Sequence, residues 1–149
     1  MTRSTTRRLR RSSLAALAVL VTAPALAQAG PINVTVTGVR NQAGIVRCGL
    51  FAPAAGFREP GKEMAEAIGR INGGQATCAF KAVPAGTYAI AVFHAERSEK
   101  TMDIGLFGKP KQGVGFSQNP SITFGAPSFN TAAFAVGNAP VAMTISLTY

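Results

Sequence analysis

The alternation of apolar and polar residues in short segments is the feature that most constrains the fold of this chain. It is clearest near the end of the sequence, where Val141, Met143, Ile145, Leu147 and Tyr149 occupy every second position. A period of two places such residues on one face of a β-strand. Residues 32–39, 44–51 and 75–82 alternate in the same way, and residues 129–136 form a further strand candidate. Residues 87–94 are apolar almost without interruption, which predicts a central strand covered on both faces. The pattern predicts an all-β fold, a single antiparallel β-sandwich of about seven strands.

Connections between these segments refine the prediction. The Asn-Gln-Ala-Gly turn at 41–44 predicts that strands 32–39 and 44–51 form a hairpin. Residues 62–71 are predicted to form the one short helical segment, which Asn72-Gly73-Gly74 would end. Residues 95–125 have little periodicity, and we expect a long irregular loop there. Long loops in small domains are commonly functional.

The first residues have the features of an export signal. Five arginines precede an apolar run at 14–21, and the small-residue pattern Ala25-Leu26-Ala27 follows it. The sequence therefore predicts a Sec-type signal peptide at 1–27, cleaved before Gln28, and a single domain at 28–149. The expected location is the periplasm or the exterior of the cell. The alternative is a membrane anchor that stays attached.

The charge of the mature chain excludes some partners. The full sequence has 15 Lys and Arg against 6 Asp and Glu, a net charge of +9. Removal of the five signal arginines leaves ten basic residues against six acidic ones, a net charge of about +4. These ten are dispersed, so we expect no nucleic-acid partner. No later segment is apolar for long enough to predict stable membrane insertion after signal cleavage.

Two cysteines lie in predicted strands. Period two places Cys48 on the same face as Val46 and Leu50, and Cys78 on the same face as Phe80. Both thiols are expected to point inward, and an oxidising compartment would allow a Cys48–Cys78 disulfide. The alternative is two separate buried thiols that pack as small apolar side chains.

His94 is the one histidine of the chain, and it stands where a predicted strand meets the long loop. It could act as a general base if Glu96 or Asp103 were its partner, which predicts a small hydrolase or isomerase. The other interpretation is a structural histidine that caps the strand and hydrogen-bonds the loop. No Gly-x-Ser-x-Gly motif or paired-carboxylate pattern accompanies it, so we expect no catalytic residues.

The stretch from Gly113 to Ser117 is rich in glycine but lacks the strand, helix and Gly-Lys-Ser/Thr ending of a phosphate-binding loop. We expect Gly113 and Gly115 to adopt positive φ so that Phe116 can pack against the sheets, with Ser117 and Asn119 bonding the backbone. Aromatic residues recur along this loop, as Phe107, Phe116, Phe124 and Phe129. They either pin the loop to the core or form an exposed platform for a ligand.

Three motifs resemble those of a known family. They are the stretch 78–94, the series Gly108-Lys109-Pro110 with Gly113-Val114-Gly115-Phe116-Ser117, and Ala126-Pro127-Ser128-Phe129. Over about residues 32–149 the chain is similar to the exported bacterial family catalogued as domain of unknown function 2141, a name that carries no activity. The resemblance implies a β-sandwich like the transthyretin (prealbumin) and carboxypeptidase-regulatory folds, with their hairpin motif at 83–88.

The resemblance also implies an oxygen-rich loop that looks like a calcium site, from which this chain departs. Ala95 and Arg97 stand where the family usually has Asp and Asn, whereas Glu96, Glu99 and Asp103 remain as candidate metal ligands. Ca²⁺ takes six to eight oxygen ligands, so this set falls short and no cofactor is expected. The alternative is a solvated loop in which Arg97 and Lys100 pair with the acids.

These observations predict an exported module that binds a protein, glycan or small ligand of the cell envelope through the surface of residues 94–119. The candidate ligand-binding residues are His94, Asp103, Gly113, Gly115, Phe116 and Ser117. Lys109 and Lys111, beside Lys100 and Arg97, could form a basic patch that attracts acidic envelope polymers. The alternatives are the enzyme that uses His94 and a purely structural envelope protein.

Overall fold

The structure is a computed structural model that describes residues 29–52, 56–103 and 109–149. The predicted signal peptide at 1–27 lies outside the described residues, as does Phe107. The elements in chain order are β1 (Ala29–Thr37), β2 (Ile45–Phe51), β3 (Ala65–Gly69), β4 (Ile71–Asn72), β5 (Gln75–Pro84), β6 (Gly86–Ala95), β7 (Val114–Phe116), α1 (Phe129–Ala132), β8 (Phe134–Val136) and β9 (Val141–Ser146). The all-β prediction is confirmed, with nine strands among the described residues instead of about seven.

The strands form two sheets. The first has the order β4-β5-β1-β9, and the second has the order β3-β2-β6-β7 with β8 paired to the start of β6. The prediction of a wholly antiparallel arrangement is wrong, because β9 runs parallel to β1, with Ile32 opposite Val141. The cause is the position of β8, which pairs with Gly86–Tyr88 close to the start of β1. A short connection from there starts β9 beside the beginning of β1, so both strands run in one direction.

The predicted hairpin between β1 and β2 is also wrong, since the two strands belong to different sheets. β1 pairs with β5 and β9, whereas β2 pairs with β3 and β6. Residues 38–44 carry the chain from one sheet to the other, and Val39 N–H bonds the carbonyl of Gly74 on the way. Each strand has one apolar face. The alternating pattern is therefore equally consistent with two strands that pack face to face from different sheets and with two strands paired in a hairpin.

Residues 62–71, predicted to be helical, instead contain β3 and the start of β4. Ala65, Ala67 and Gly69 alternate with exposed residues, and β3 pairs antiparallel with β2. Period two therefore applies in this segment and the helical period does not. Among the described residues the helix is α1, which lies in the stretch 129–136 predicted as a strand, and the Ser128 hydroxyl caps it by accepting from Thr131 N–H.

The core has two parts. The larger cluster combines side chains of both sheets, including Ile32, Val34, Leu50, Ile90 and Ile145, each fully buried. A smaller cluster around Ala89, Phe116 and Ala132 lies on the other side of β6. The prediction that β6 is a central strand covered on both faces is therefore confirmed.

Two links stabilise this arrangement. Cys48 on β2 and Cys78 on β5 form a disulfide across the larger cluster, with a sulfur–sulfur distance of 2.05 Å. In the chain-entropy account, closing a loop of this size stabilises the fold by roughly 3–4 kcal/mol. At the corner between β5 and β6, the Tyr88 hydroxyl donates to the carbonyl of Pro84 at 2.9 Å. The 83–88 motif thus connects two sheets, and its strands do not pair with each other.

Candidate functional site

Residues 94–119 run from the end of β6 through β7, and the side chains predicted to form a site fall into three separate groups. The first group surrounds His94 at the end of β6. The second joins Glu99, Asp103 and Gln112 within the loop. The third consists of β7 and Ser117, which pack against β9 and β6. The structure does not bring the predicted ligand-binding residues together into one surface.

The His94 imidazole is fully buried, and both ring nitrogens have hydrogen-bond partners. Nε2 lies 2.8 Å from the carbonyl of Ala43, and Nδ1 lies 2.9 Å from the hydroxyl of Tyr149. Because a carbonyl only accepts, we assign the proton of the neutral ring to Nε2, so that Nδ1 accepts from Tyr149. The Tyr149 oxygen in turn accepts from Arg40 N–H at 3.1 Å. This is the geometry of a structural histidine that caps a strand and holds a loop.

Glu96 lies beside this histidine but is held by other groups. Arg40 donates to its two carboxylate oxygens at 2.6 and 2.8 Å, and Asn41 donates at 2.9 Å. The hydrogen bond from Arg40 is the main cause that lowers the pKa of Glu96 to about 2. The nearer carboxylate oxygen is 3.8 Å from His94 Nδ1. Glu96 is thus an ionised partner of Arg40 and makes no hydrogen bond to the imidazole.

Glu99, Asp103 and Gln112 join the two halves of the loop. Gln112, almost completely buried, donates from Nε2 to Glu99 at 2.7 Å and accepts from Asp103 N–H at 3.0 Å. The second Glu99 oxygen accepts from Arg97 N–H at 2.7 Å. Burial, the largest single influence, raises the pKa of Glu99, but these hydrogen bonds outweigh it and the pKa is lowered. Lys111 N–H closes the loop by donating to the Asp103 carbonyl at 3.0 Å.

Arg47 attaches this loop to the second sheet, a role that sequence reasoning missed. It is only 9% exposed, although it lies in the middle of β2. Its Nε donates to the Glu99 carbonyl at 2.8 Å, and its Nη1 donates to Glu66 of β3 at 2.5 Å. A buried arginine requires such partners. The sequence contained one signal for this role, since Arg47 is a single cationic residue within an otherwise apolar strand.

The three candidate metal ligands therefore all bond groups of the protein. Glu96 bonds Arg40, Glu99 bonds Gln112, and Asp103 forms an ion pair with Arg97. Within 29–52, 56–103 and 109–149, no three His, Cys, Asp or Glu side chains are grouped so that they could hold a metal ion. Of the two cations predicted to pair with the loop acids, Arg97 does so, whereas Lys100 forms no ion pair with any described residue.

Four cations remain on the outside of this loop, and we call them the loop basic surface: Arg97, Lys100, Lys109 and Lys111. All four are exposed. The hydrogen bond from Gln112 to Glu99 sets their chain neighbours, Lys111 and Lys100, on adjoining segments. The acids of the loop point into its hydrogen-bond network or, for Asp103, to Arg97. Among the described residues of the loop, the exposed charges without an ion-pair partner are therefore those of Lys100, Lys109 and Lys111.

The third group, β7 and Ser117, is buried, and its glycines do not have the predicted positive φ. Their role is close approach instead. A Cβ on Gly113 would lie 2.4 Å from the Tyr149 ring, and one on Gly115 would lie 2.7 Å from the Ile145 side chain. Ser117 accepts from Ile90 N–H at 2.9 Å and donates to the Ala132 carbonyl. The polar bonding predicted for Ser117 is thus present.

The loop aromatics differ in their burial. Phe116 is buried, and Phe57 contacts both Phe116 and Phe129 edge-on, with ring centroids 6.2 and 5.7 Å apart. These residues pin the loops to the outer side of the second sheet. Phe124 is fully exposed. Asn119, as predicted, bonds the backbone, through the Thr144 carbonyl and Ser146 N–H of β9.

These elements define a small all-β protein with two sheets, an internal disulfide and a basic loop. Residues 34–144 match the family described as "Uncharacterized protein conserved in bacteria (DUF2141)", so the chain belongs to this family. The resemblance stated from the motifs is thereby confirmed. No curated protein and no solved structure matches the chain. Among the described residues, no helix has the length and apolar composition needed to cross a membrane.

Proposed function

We propose that the protein is an exported module of the cell envelope that binds an anionic glycan through the loop basic surface. In this proposal the two sheets form a β-sandwich similar to the transthyretin-like fold, and the sandwich serves as the rigid support of the loop. Export is supported by the arginine-rich start and the Ala25-Leu26-Ala27 pattern. The buried Cys48–Cys78 disulfide agrees with an oxidising compartment.

The observation that carries the proposal is the separation of charge within the loop. The carboxylate of Glu99 points inward to Gln112 and the backbone, whereas Lys100, Lys109 and Lys111 are exposed. Because Glu99 bonds Gln112 and Asp103 pairs with Arg97, Lys100, Lys109 and Lys111 are left available to an external anion. Clustered cations attract polyanions and accelerate encounter, and salt screens the attraction.

The support beneath the loop makes this surface suited to binding. Gln112 is buried beneath it, and Arg47 joins its Glu99 carbonyl to β2 and β3. A surface fixed before binding loses less conformational freedom when the ligand arrives. Each exposed ion pair contributes only about 0.2–1 kcal/mol, so we expect an affinity that depends on several contacts and weakens with salt.

The experiment compares dextran sulfate with uncharged dextran by isothermal titration calorimetry on the purified protein. We expect binding to dextran sulfate that weakens as salt is raised, and no binding to dextran. Replacing Lys100, Lys109 and Lys111 by Gln should abolish most of this binding. The matched control replaces Arg58, Lys62 and Lys81, which are also exposed, by Gln and removes the same charge. If both variants lost binding to the same extent, the net charge of the protein would explain the binding, and the proposal would be contradicted.

Export has its own test, which does not depend on the ligand. The intact mass of protein recovered from the periplasmic fraction should correspond to a chain that begins at Gln28. The same mass should be lower than that of the reduced form by two hydrogen atoms, because of the Cys48–Cys78 disulfide. A chain that retains residues 1–27 in a membrane fraction would show that the segment is an anchor.

A further inference from the structure

A second polar feature, remote in sequence from the loop basic surface, lies at the edge of the first sheet. It is a groove of about 420 Å³ lined by Arg70, Asn72, Gln75, Ala76 and Thr77. Asn72 of β4 and Gln75 of β5 are directly opposite each other in the strand pair. Ala76 is buried, whereas Gln75 and Thr77 are exposed on the other face of β5.

The lining of the groove combines one cation with neutral hydrogen-bonding groups. Asn72 and Gln75 each offer an amide, Thr77 offers a hydroxyl, and no acidic residue lines the groove. Arg40, Arg47 and Arg97 each have a carboxylate partner, but Arg70 forms no ion pair with any residue that the structure describes. A guanidinium without an internal partner is suited to bind a carboxylate with two parallel hydrogen bonds.

The groove continues into a row of hydroxyl groups across the outer face of the first sheet. Thr35 of β1 lies opposite Thr77 of β5 on one side and opposite Thr144 of β9 on the other. The next row contains Thr37 and Ser146, whose hydroxyls are 3.2 Å apart. Within a row, hydroxyls on neighbouring strands are about 4.8 Å apart, and successive rows are about 6.7 Å apart along the strands. These two rows are uncharged, and their hydroxyls can both donate and accept hydrogen bonds.

We propose that this groove is a binding site for a carboxylate-bearing saccharide. Arg70 binds the carboxylate, the amides of Asn72 and Gln75 bond ring hydroxyls, and further sugar units extend over the hydroxyls of Thr77 and Thr35. The site is independent of the proposed function, since it uses none of the four cations of the loop basic surface.

The same groove is poorly suited to an extended peptide that adds a strand to β5. Addition of a strand requires free backbone groups along a sheet edge. Next to Thr77 this edge is covered by β3, because a Cβ on Gly69 would lie only 3.0 Å from the Thr77 carbonyl oxygen. Recognition there must therefore come from side chains, and the side chains present are those that bond hydroxyls and a carboxylate.

The test is a ¹H–¹⁵N NMR titration of the protein with trigalacturonic acid and with its methyl ester, which keeps the hydroxyls and removes the charge. We expect saturating shifts at the side-chain amides of Asn72 and Gln75 and at the Thr77 backbone. The methyl ester should bind at least tenfold more weakly. Arg70→Gln should weaken trigalacturonate binding at least tenfold, and Arg70→Lys should weaken it less. Lys81→Gln, a change on the same face of β5 but outside the groove, should leave it unchanged.

Four results would overturn the proposal. The first is the absence of shifts at Asn72, Gln75 and Thr77, and the second is an unchanged affinity in Arg70→Gln. The third is a set of shifts confined to Lys100, Lys109 and Lys111, which would assign the acid to the loop basic surface and support the proposed function instead. In the fourth, triglutamate shifts the same groove residues as strongly as trigalacturonate, which would make the site a binder of acidic peptides. The spectra themselves show whether each variant is folded.

Discussion

The two ends of the 94–119 segment differ from its middle in almost every physical respect. At the ends, His94 and residues 113–117 are buried, and they contact β9, β6 and α1. In the middle, Glu99 bonds inward, Asp103 pairs with Arg97, and the lysines are exposed. The residues with the most conspicuous sequence pattern therefore serve the fold. The exposed lysines belong to the less patterned residues between them.

The difference follows from the distance between neighbouring strands. β7 lies beside the end of the chain, where Val114 and Thr148, two residues beyond β9, exchange backbone hydrogen bonds. At this separation the side chains of positions 113 and 115 have no room, so glycine is required there. In the described part of the middle, side chains hold the backbone: Gln112 accepts from Asp103 N–H, and Glu99 accepts from Arg97 N–H.

The largest effect on stability is expected from His94→Ala, which removes the contacts that hold the first end of the 94–119 segment. It removes a fully buried ring and leaves the Ala43 carbonyl and the Tyr149 hydroxyl without their partner. We expect a loss of about 3 kcal/mol in the free energy of unfolding. Urea denaturation followed by circular dichroism measures it. Tyr149→Phe, which removes one hydroxyl, should cost about 1 kcal/mol. A loss below that of Tyr149→Phe would contradict the structural role of His94.

Gly115→Ala tests the close approach of β7 and β9. The new methyl group would meet the Ile145 side chain at 2.7 Å and the Ser146 carbonyl at 2.8 Å. We expect a destabilisation of about 2 kcal/mol from overpacking, measured by thermal and urea denaturation. Gly137→Ala is the control, because nothing lies within 4 Å of its Cβ position. Equal stability of the two variants would mean that the strands are not in contact as described.

A smaller, pH-dependent effect is expected at Glu96, on the border between the end and the middle. Its pKa is lowered from 4.5 to about 2, chiefly by Arg40. A group whose pKa is lower in the folded state stabilises the fold above its unfolded pKa and loses this contribution as pH falls toward the folded value. The stability difference between the protein and Glu96→Gln should therefore shrink as pH falls from about 5 to about 2. Urea denaturation across this range measures it.

The matched control for this pH series is Glu59→Gln, since Glu59 is exposed and forms no ion pair with any described residue. Its stability difference from the protein should change little over the same range. A difference for Glu96→Gln that stays constant down to the lowest pH would contradict the Arg40 pairing.

How much of this could be predicted from sequence depends on whether the signal was local. The alternation at 141–149 predicted β9, and the inward positions of Cys48 and Cys78 agreed with the disulfide. Period two states which face is buried but not which strand is the neighbour. The hairpin of β1 with β2 and the antiparallel β9 were wrong for this reason.

The site was harder to predict, because its decisive contacts join residues far apart in the chain. Arg47 reaches the Glu99 carbonyl, and Tyr149 reaches His94, across more than 50 positions in each case. The sequence indicated that Gly113 and Gly115 have a particular role. What requires glycine at these positions is the close approach of Tyr149 and Ile145, which are distant in sequence and so absent from any local pattern. The exposed lysines were visible from sequence, whereas the inward direction of Glu99 was not.

Lysine footprinting tests the central claim most directly, because the chain has five lysines and three of them belong to the loop basic surface. The protein would be acetylated briefly with and without dextran sulfate, and the modification of each lysine would be read by mass spectrometry. We predict that the polymer protects Lys100, Lys109 and Lys111 and leaves Lys62 and Lys81 as reactive as before. Uniform protection of all five, or protection of Lys62 and Lys81 alone, would contradict the claim that the middle of this segment is the binding surface.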